Sequence, residues 1–180
     1  MSSGSKVTVA ATRYPAPNPE GGRPWCVELR RRITSWVPEI QPPHQADWTR
    51  PWPERPGMWN PRTTDNQLWT PAHGWPTGEK PSTHAYCDGD DLMVTHLPPS
   101  TAELVRNQVA WILAVMLVQR IPIELPGRPP AYVVEVINNR QIITAKKPTW
   151  RPYGGASPHR DHTHHSITRP GSPLFAYPGF

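Results

Sequence analysis

"AYVVEVINNRQIIT", residues 131–144, decides the fold. β-branched residues crowd both arms, and Asn138-Asn139 sits between them where a tight turn needs residues tolerant of unusual backbone angles. The spacing predicts a β-hairpin. Ahead of it, "STAELVRNQVAWILAVMLVQR" (100–120) predicts a helix. Ser100 and Glu103 match a capping box, the crowded apolar positions imply burial on most sides, Trp111 included, and Pro122 prevents continuation. Upstream again, "THAYCDGDDLMVT" (83–95) alternates loosely around Asp88-Gly89, a favoured two-residue turn, and predicts a second hairpin. Downstream, "WRPYGGASP" (150–158) reads as a loop and "HRDHTHHSI" (159–167) as a short strand. Hairpin, helix, hairpin and strand make an α+β domain over 80–168, a small antiparallel sheet with one buried helix.

The flanks differ in composition. Of 26 prolines and 9 tryptophans in 180 residues, fourteen prolines and seven tryptophans lie between Pro15 and Pro81. Residues 1–79 are therefore expected to form an extended Pro/Trp-rich N-terminal region, relieved by a short helix at 24–37 with Pro24 in its first turn and Pro38 beyond its end. Residues 169–180 read as a proline-rich tail. Arms this poor in core-forming residues usually order against a partner.

Charge is uneven: residues 1–98 balance at 10 basic and 10 acidic, whereas 99–180 carry 9 against 4, the whole of the +5. A basic half suits an anionic partner such as a cell-wall polymer, or simply a solvated face. Binding of single-stranded nucleic acid fits poorly, because the aromatics lie in the neutral half. Cys26 and Cys87 make neither a disulfide framework nor a CxxC knuckle, and both are expected to stay reduced. No export signal is expected at the N-terminus, and the apolar run "VAWILAVMLV" (109–118) is too short to span a bilayer.

"PHRDHTHHSI" (158–167) holds four of eight histidines. On a strand, His162 and His164 share one face and His165 takes the other. Catalytic zinc needs three protein ligands, so others must come from elsewhere. If Asp88-Gly89 is a turn, His84 and Asp91 become diagonal neighbours on one face, with Asp90 on the opposite face to cap or be solvated.

His84 with Asp91 seven positions on, in "STHAYCDGDD" (82–91), followed by "DHTHHS" (161–166), resembles the SxHxxGxAxD and DHxHxS motifs of zinc peptidases of the D-Ala-D-Ala carboxypeptidase/L,D-endopeptidase group, whose fold is shared with hedgehog domains. The hairpin followed by "WRPYGGASPHRDHTHHS" is similar to members from actinobacteria and their phages. The likeness covers 80–168. It implies zinc on His84, Asp91 and His164, with His162 binding substrate or the developing oxyanion. It implies Asp161, three positions before the last ligand, as general base, although strand alternation turns Asp161 to the wrong face. Arg160 and Tyr153 would contact substrate. Cys87 stands where the family has glycine, close enough to compete for metal, and Gly89 where it has alanine.

The function expected from the likeness is a zinc-dependent peptidoglycan peptidase, phage-encoded, acting as a lysin or a virion-associated wall hydrolase. The alternative is a virion structural protein on the same fold, metal-binding but not catalytic, whose arm binds other virion subunits. Bacterial peptidoglycan is the expected partner, with no nucleic acid and no membrane span. The expected location is the virion, or the host cytoplasm before release to the wall.

Overall fold

The computed structural model describes residues 14–18, 20–40, 80–155 and 157–177; the Pro/Trp-rich stretch from 41 to 79 lies outside them. The described residues form an α+β fold with two α-helices and a small antiparallel sheet. Helix α1 is Arg23–Trp36 and α2 is Pro99–Val118; strands β1 to β6 are Gly89–Met93, Ile123–Leu125, Arg128–Asn138, Gln141–Thr144, Lys147–Pro152 and His162–Thr168. The strands run in the order β1-β6-β3-β4-β5, with β2 paired to β3.

The expected hairpin at 131–144 forms one residue out of place. Asn138 pairs with Gln141, so Asn139 and Arg140 make the turn, both at positive φ (44° and 63°) as a type I′ turn requires. The chain then turns again through Ala145-Lys146 into β5, a strand that claims residues 150–152 of the expected loop.

The expected first hairpin does not form. Residues Thr83–Tyr86 close a 3-10 turn, started by Ser82, whose side chain accepts from the His84 N–H at 3.4 Å. β1 pairs instead with β6, 70-odd residues later, bringing Asp91 opposite His164 and Asp90 opposite His165.

Helix α1 is not part of a detached arm. Trp25, Cys26, Leu29 and Ile33 recur on one side of it and join α2 and the sheet in one apolar core. Leu29 and Ile33 are fully buried, and cutting either to alanine removes ~2–5 kcal/mol. Arg30 on the same side forks onto Asp90, with Nε to Oδ2 at 2.8 Å and Nη2 to Oδ1 at 2.7 Å, and also donates to the Asp91 carbonyl at 2.7 Å. Asp90 is thus a buried ion-pair partner, not a cap or a solvated acid. The described N-terminal residues and the tail dock as well. Tyr86 Oη donates to the Pro15 carbonyl, and Arg169 and Ser172 donate to the buried carboxylate of Asp88 at 2.7 and 2.8 Å.

Helix α2 begins at Pro99 with Pro98 as its N-cap, and no side chain caps it, so the Ser100/Glu103 box does not form. Its 20 residues reach the length and apolar composition of a bilayer span, beyond the shorter run read from sequence. Here it lies across the sheet. Val105, Val109, Leu113 and Met116 face inward, while Leu104, Trp111 and Val118 are exposed, so burial is one-sided and Trp111 is not core. Thr163 of β6 donates to the Arg106 carbonyl of α2, and Asp90 of β1 meets α1, so both helices cover one face of the sheet. The opposite face carries the metal-type residues.

Two consequences are measurable. An L-residue at positive φ is strained by its Cβ, and Arg140 lacks the short polar side chain by which Asn139 tolerates that region, so Arg140→Gly is expected to gain about 0.5–1 kcal/mol in urea unfolding. His165 is fully buried and neither ring nitrogen has a hydrogen-bond partner among the described residues. Burial first, with His164 and Arg30 adding to it and Asp90 opposing, pushes its pKa from 6.5 down to about 4. A depressed histidine contributes stability that is present above the unfolded pKa and lost as pH falls through the folded one, a window worth ~3 kcal/mol. His165→Leu should therefore flatten the fall in stability between pH 6.5 and 4; an unchanged slope would show that the ring does not set it.

Candidate metal centre

Three elements meet on the open face of the sheet: the 3-10 turn, β1 and β6. His84 comes from the turn, Asp91 from the middle of β1 and His164 from the strand directly paired to it. One ligand-type atom from each lies within 4.8 Å of the others. His84 Nε2 is 3.5 Å and His164 Nδ1 2.8 Å from Asp91 Oδ1. Tetrahedral zinc with bonds of about 2.0–2.1 Å separates its ligand atoms by about 3.3 Å, so this spacing closes around one ion with small side-chain shifts. The donor set, two imidazoles and a carboxylate, suits zinc and leaves a fourth position.

Burial alone would raise the Asp91 carboxyl, but the His84 charge and hydrogen bonds from His164 and His84 hold it well below the usual carboxylate range. Asp91 is therefore ionised at any working pH, as a ligand must be.

His162 sits beside the triad, two residues before His164 on the same face, with Nε2 3.5 Å from Asp91 Oδ1. Its Nδ1 is 2.7 Å from Asp161 Oδ1. Asp161 precedes the first residue of β6, so strand alternation does not govern it; it is exposed and reaches the site through the His162 ring. Tyr153 reaches the site through another ring. It lies edge-on to His159 at 5.3 Å, and His159 is 4.8 Å from His162 and 5.6 Å from His164. Arg160 is exposed.

His159 is the residue the sequence reading passed over. It is buried, at φ 49°, with Nδ1 donating to the Ser157 carbonyl at 2.8 Å. Burial first, then the charges of His164 and His162, pushes its pKa down to about 4, so it is a neutral wall. No periodicity exists in a loop to assign it, though its place in the histidine cluster was a signal.

Glu135 is a second such residue. Val133 pairs with Ile167 but Glu135 pairs with Ser166, which leaves Val134 as the extra residue of a β-bulge. Regular alternation would put Glu135 opposite His165 on the helix side. The bulge turns it to the metal side, where Ser166 Oγ donates to it at 3.1 Å. Ser166 Oγ also lies 3.2 Å from His164 Nε2, so a carboxylate backs the ligand through a hydroxyl.

The two departures in the first motif have local reasons. Cys87 occupies the left-handed region at φ 50° where glycine is usual, and is buried in the apolar core beside Cys26, whose thiol donates to its carbonyl at 3.1 Å. It lies outside the metal triad. Gly89 cannot be alanine without movement, because a Cβ there would stand 2.2 Å from Thr83 Oγ1 and 3.1 Å from His164 Cε1.

No family model matches the chain, and no curated protein or solved structure matches it either.

The triad predicts one equivalent of zinc after dialysis against excess ion, read by atomic emission. Asp91→Ala and His164→Ala should each lower affinity at least about a hundredfold, and Ser166→Ala by about 10–100-fold through loss of the backing hydrogen bond. Retention of zinc by His164→Ala would place the ion elsewhere.

Proposed function

We propose that the protein is a zinc-dependent peptidase of bacterial peptidoglycan stem peptides, on a fold like that of the D-Ala-D-Ala peptidase and hedgehog group. The observation that carries this reading is the convergence of His84, Asp91 and His164, far apart in the chain, with a His162–Asp161 pair beside them. When bound there, zinc supplies Lewis acidity toward a water and a scissile carbonyl.

The chain's own groups supply the rest. With Nδ1 of His164 given to the ion, its Nε2–H donates to Ser166, whose hydroxyl is donated to Glu135, fixing the tautomer. Asp161 accepts from His162 Nδ1–H and so turns Nε2 toward Asp91, where it holds or delivers a proton at the reacting amide. Asp161 thus acts through His162 rather than as a base in direct reach. Tyr153 keeps its proton near neutrality, because burial and then the Glu135 charge raise its pKa, so its hydroxyl serves as a donor to an oxyanion. Arg160, exposed in the same loop, would pair with an acidic stem peptide or its terminal carboxylate.

A phage lysin or virion-associated wall hydrolase is the setting we favour, with the positive charge of the second half of the chain suiting an anionic wall. The structural alternative, a virion subunit that keeps the metal without turnover, rests on the Pro/Trp-rich stretch outside the described residues.

With zinc loaded, purified peptidoglycan should release free amino groups. His162→Ala and Asp161→Asn should keep the metal and lower kcat by about 10²–10⁴-fold. Full zinc occupancy with no amino groups released, from wall or from soluble stem peptides, would favour the structural reading.

A further inference from the structure

Of the three exposed tryptophans of the described fold, Trp36 stands at the end of α1, and the other two, Trp111 and Trp150, lie on one cleft. Asn107, Ala110 and Trp111 form one wall, along a single side of α2; Asn138, Asn139 and Gln141 form the other at the β3–β4 tip, and Trp150 of β5 closes the end. Trp111 is 66% and Trp150 40% exposed, although indole is costly to leave in water. The cleft measures about 300 Å³, room for one sugar ring with its substituents and at the lower end of small-ligand cavities.

Its chemistry is narrow. Four carboxamides, two indoles and an alanine line it, and no charged side chain among the described residues does. A phosphate or carboxylate ligand would find no cation here, which argues against nucleic acid. A pyranose offers what such a lining takes: an apolar C–H face for indole, and hydroxyls for groups that both donate and accept.

Asn138 adds an independent sign. It is 8% exposed, and its Nδ2 donates to Asn107 Oδ1 at 3.0 Å, tying β3 to α2. Its Oδ1 is buried with no hydrogen-bond partner among the described residues. A buried acceptor on the wall of a cleft calls for a donor from a ligand, and an acetamido N–H or a sugar hydroxyl is one.

The cleft is tied through the backbone to the loop that walls the metal centre. Asn139 lines it and donates its backbone N–H to the His159 carbonyl at 2.8 Å, and Arg140 donates to the Pro158 carbonyl at 2.9 Å.

We infer that this cleft binds a neutral N-acetylated saccharide, and so holds the glycan strand while the stem peptide reaches the metal face. The saccharide class follows from the lining; its identification with wall glycan rests on the peptidase reading above.

The test is a titration of the zinc-free full chain with the N-acetylglucosamine tetramer, followed by indole N–H resonances assigned through Trp111→Phe and Trp150→Phe. Saturable shifts of both indoles and of the Asn138 amide are expected at millimolar ligand or below. Trp111→Ala should weaken binding about tenfold or more, Asn138→Leu should weaken it too, and the glucose tetramer, which has no acetamido group, should bind more weakly. Both tryptophans are exposed, so the remaining spectrum should be unchanged. Unmoved indoles, or binding unaltered in the Trp111→Ala/Trp150→Ala double variant, would overturn the inference, as would shifts caused by virion proteins and not by the sugar. The titration involves no metal and no scissile peptide, so its failure and a failed hydrolysis assay are separate results.

Discussion

The fork between Arg30 and Asp90 sets the rest in place. Both groups are buried, the geometry is bidentate, and the same guanidinium holds the Asp91 carbonyl. Adjacent residues on a strand point to opposite faces, so fixing Asp90 against α1 fixes Asp91 toward the metal side. A one-residue slip of β1 would exchange the faces: in one direction Arg30 is left opposite Gly89 without its carboxylate, and in the other Leu92 takes the place of the metal-side carboxylate. Breaking such a pair costs about 3–5 kcal/mol, because it strands a buried charge. The pair gives little net stability over an apolar substitute, yet it opposes the register that would leave Arg30 facing Gly89.

Strand β6 repeats the same division. His162, His164 and Ser166 face the site, whereas Thr163, His165 and Ile167 face the helices. Two ligand-type residues therefore ride on paired strands rather than loops, which limits how far they can wander. His84 is the exception, held by a short 3-10 turn whose end is tied down by the Asp88 N–H to the Thr83 carbonyl. The bulge at Val134 departs from regular pairing to bring one carboxylate to the ligand side, where it backs a ligand.

Local patterns were readable and long-range pairings were not. The alternation of "HTHHS" gave the faces of β6 correctly, and the asparagines marked the second turn to within a residue. The convergence of His84 and Asp91 was expected from a hairpin, yet it arises from a 3-10 turn and a strand partner 70-odd residues away, a pairing no local window contains. α1 was legible as a helix with an apolar side; which strand it meets was not, because the side chain that ties it to β1 is an arginine, whose type argues for the surface. Trp111 was misplaced since α2 is apolar nearly all round, and periodicity then cannot say which side the sheet will take. His159 and Glu135 depend on a left-handed loop residue and a bulge, neither of which leaves a periodic trace.

The docking of α1 bears on how such a chain can be cut and recombined. A fragment beginning near residue 80, where the motifs begin, would keep every ligand and lose Leu29, Ile33 and the only described cation forked onto Asp90. A recombination event or an engineer's fusion that takes its breakpoint from the motifs would inherit the metal-type residues without the scaffold that aims them. The heritable module reaches back at least to Pro15 and Asn18, which bond to Tyr86 and Ala85.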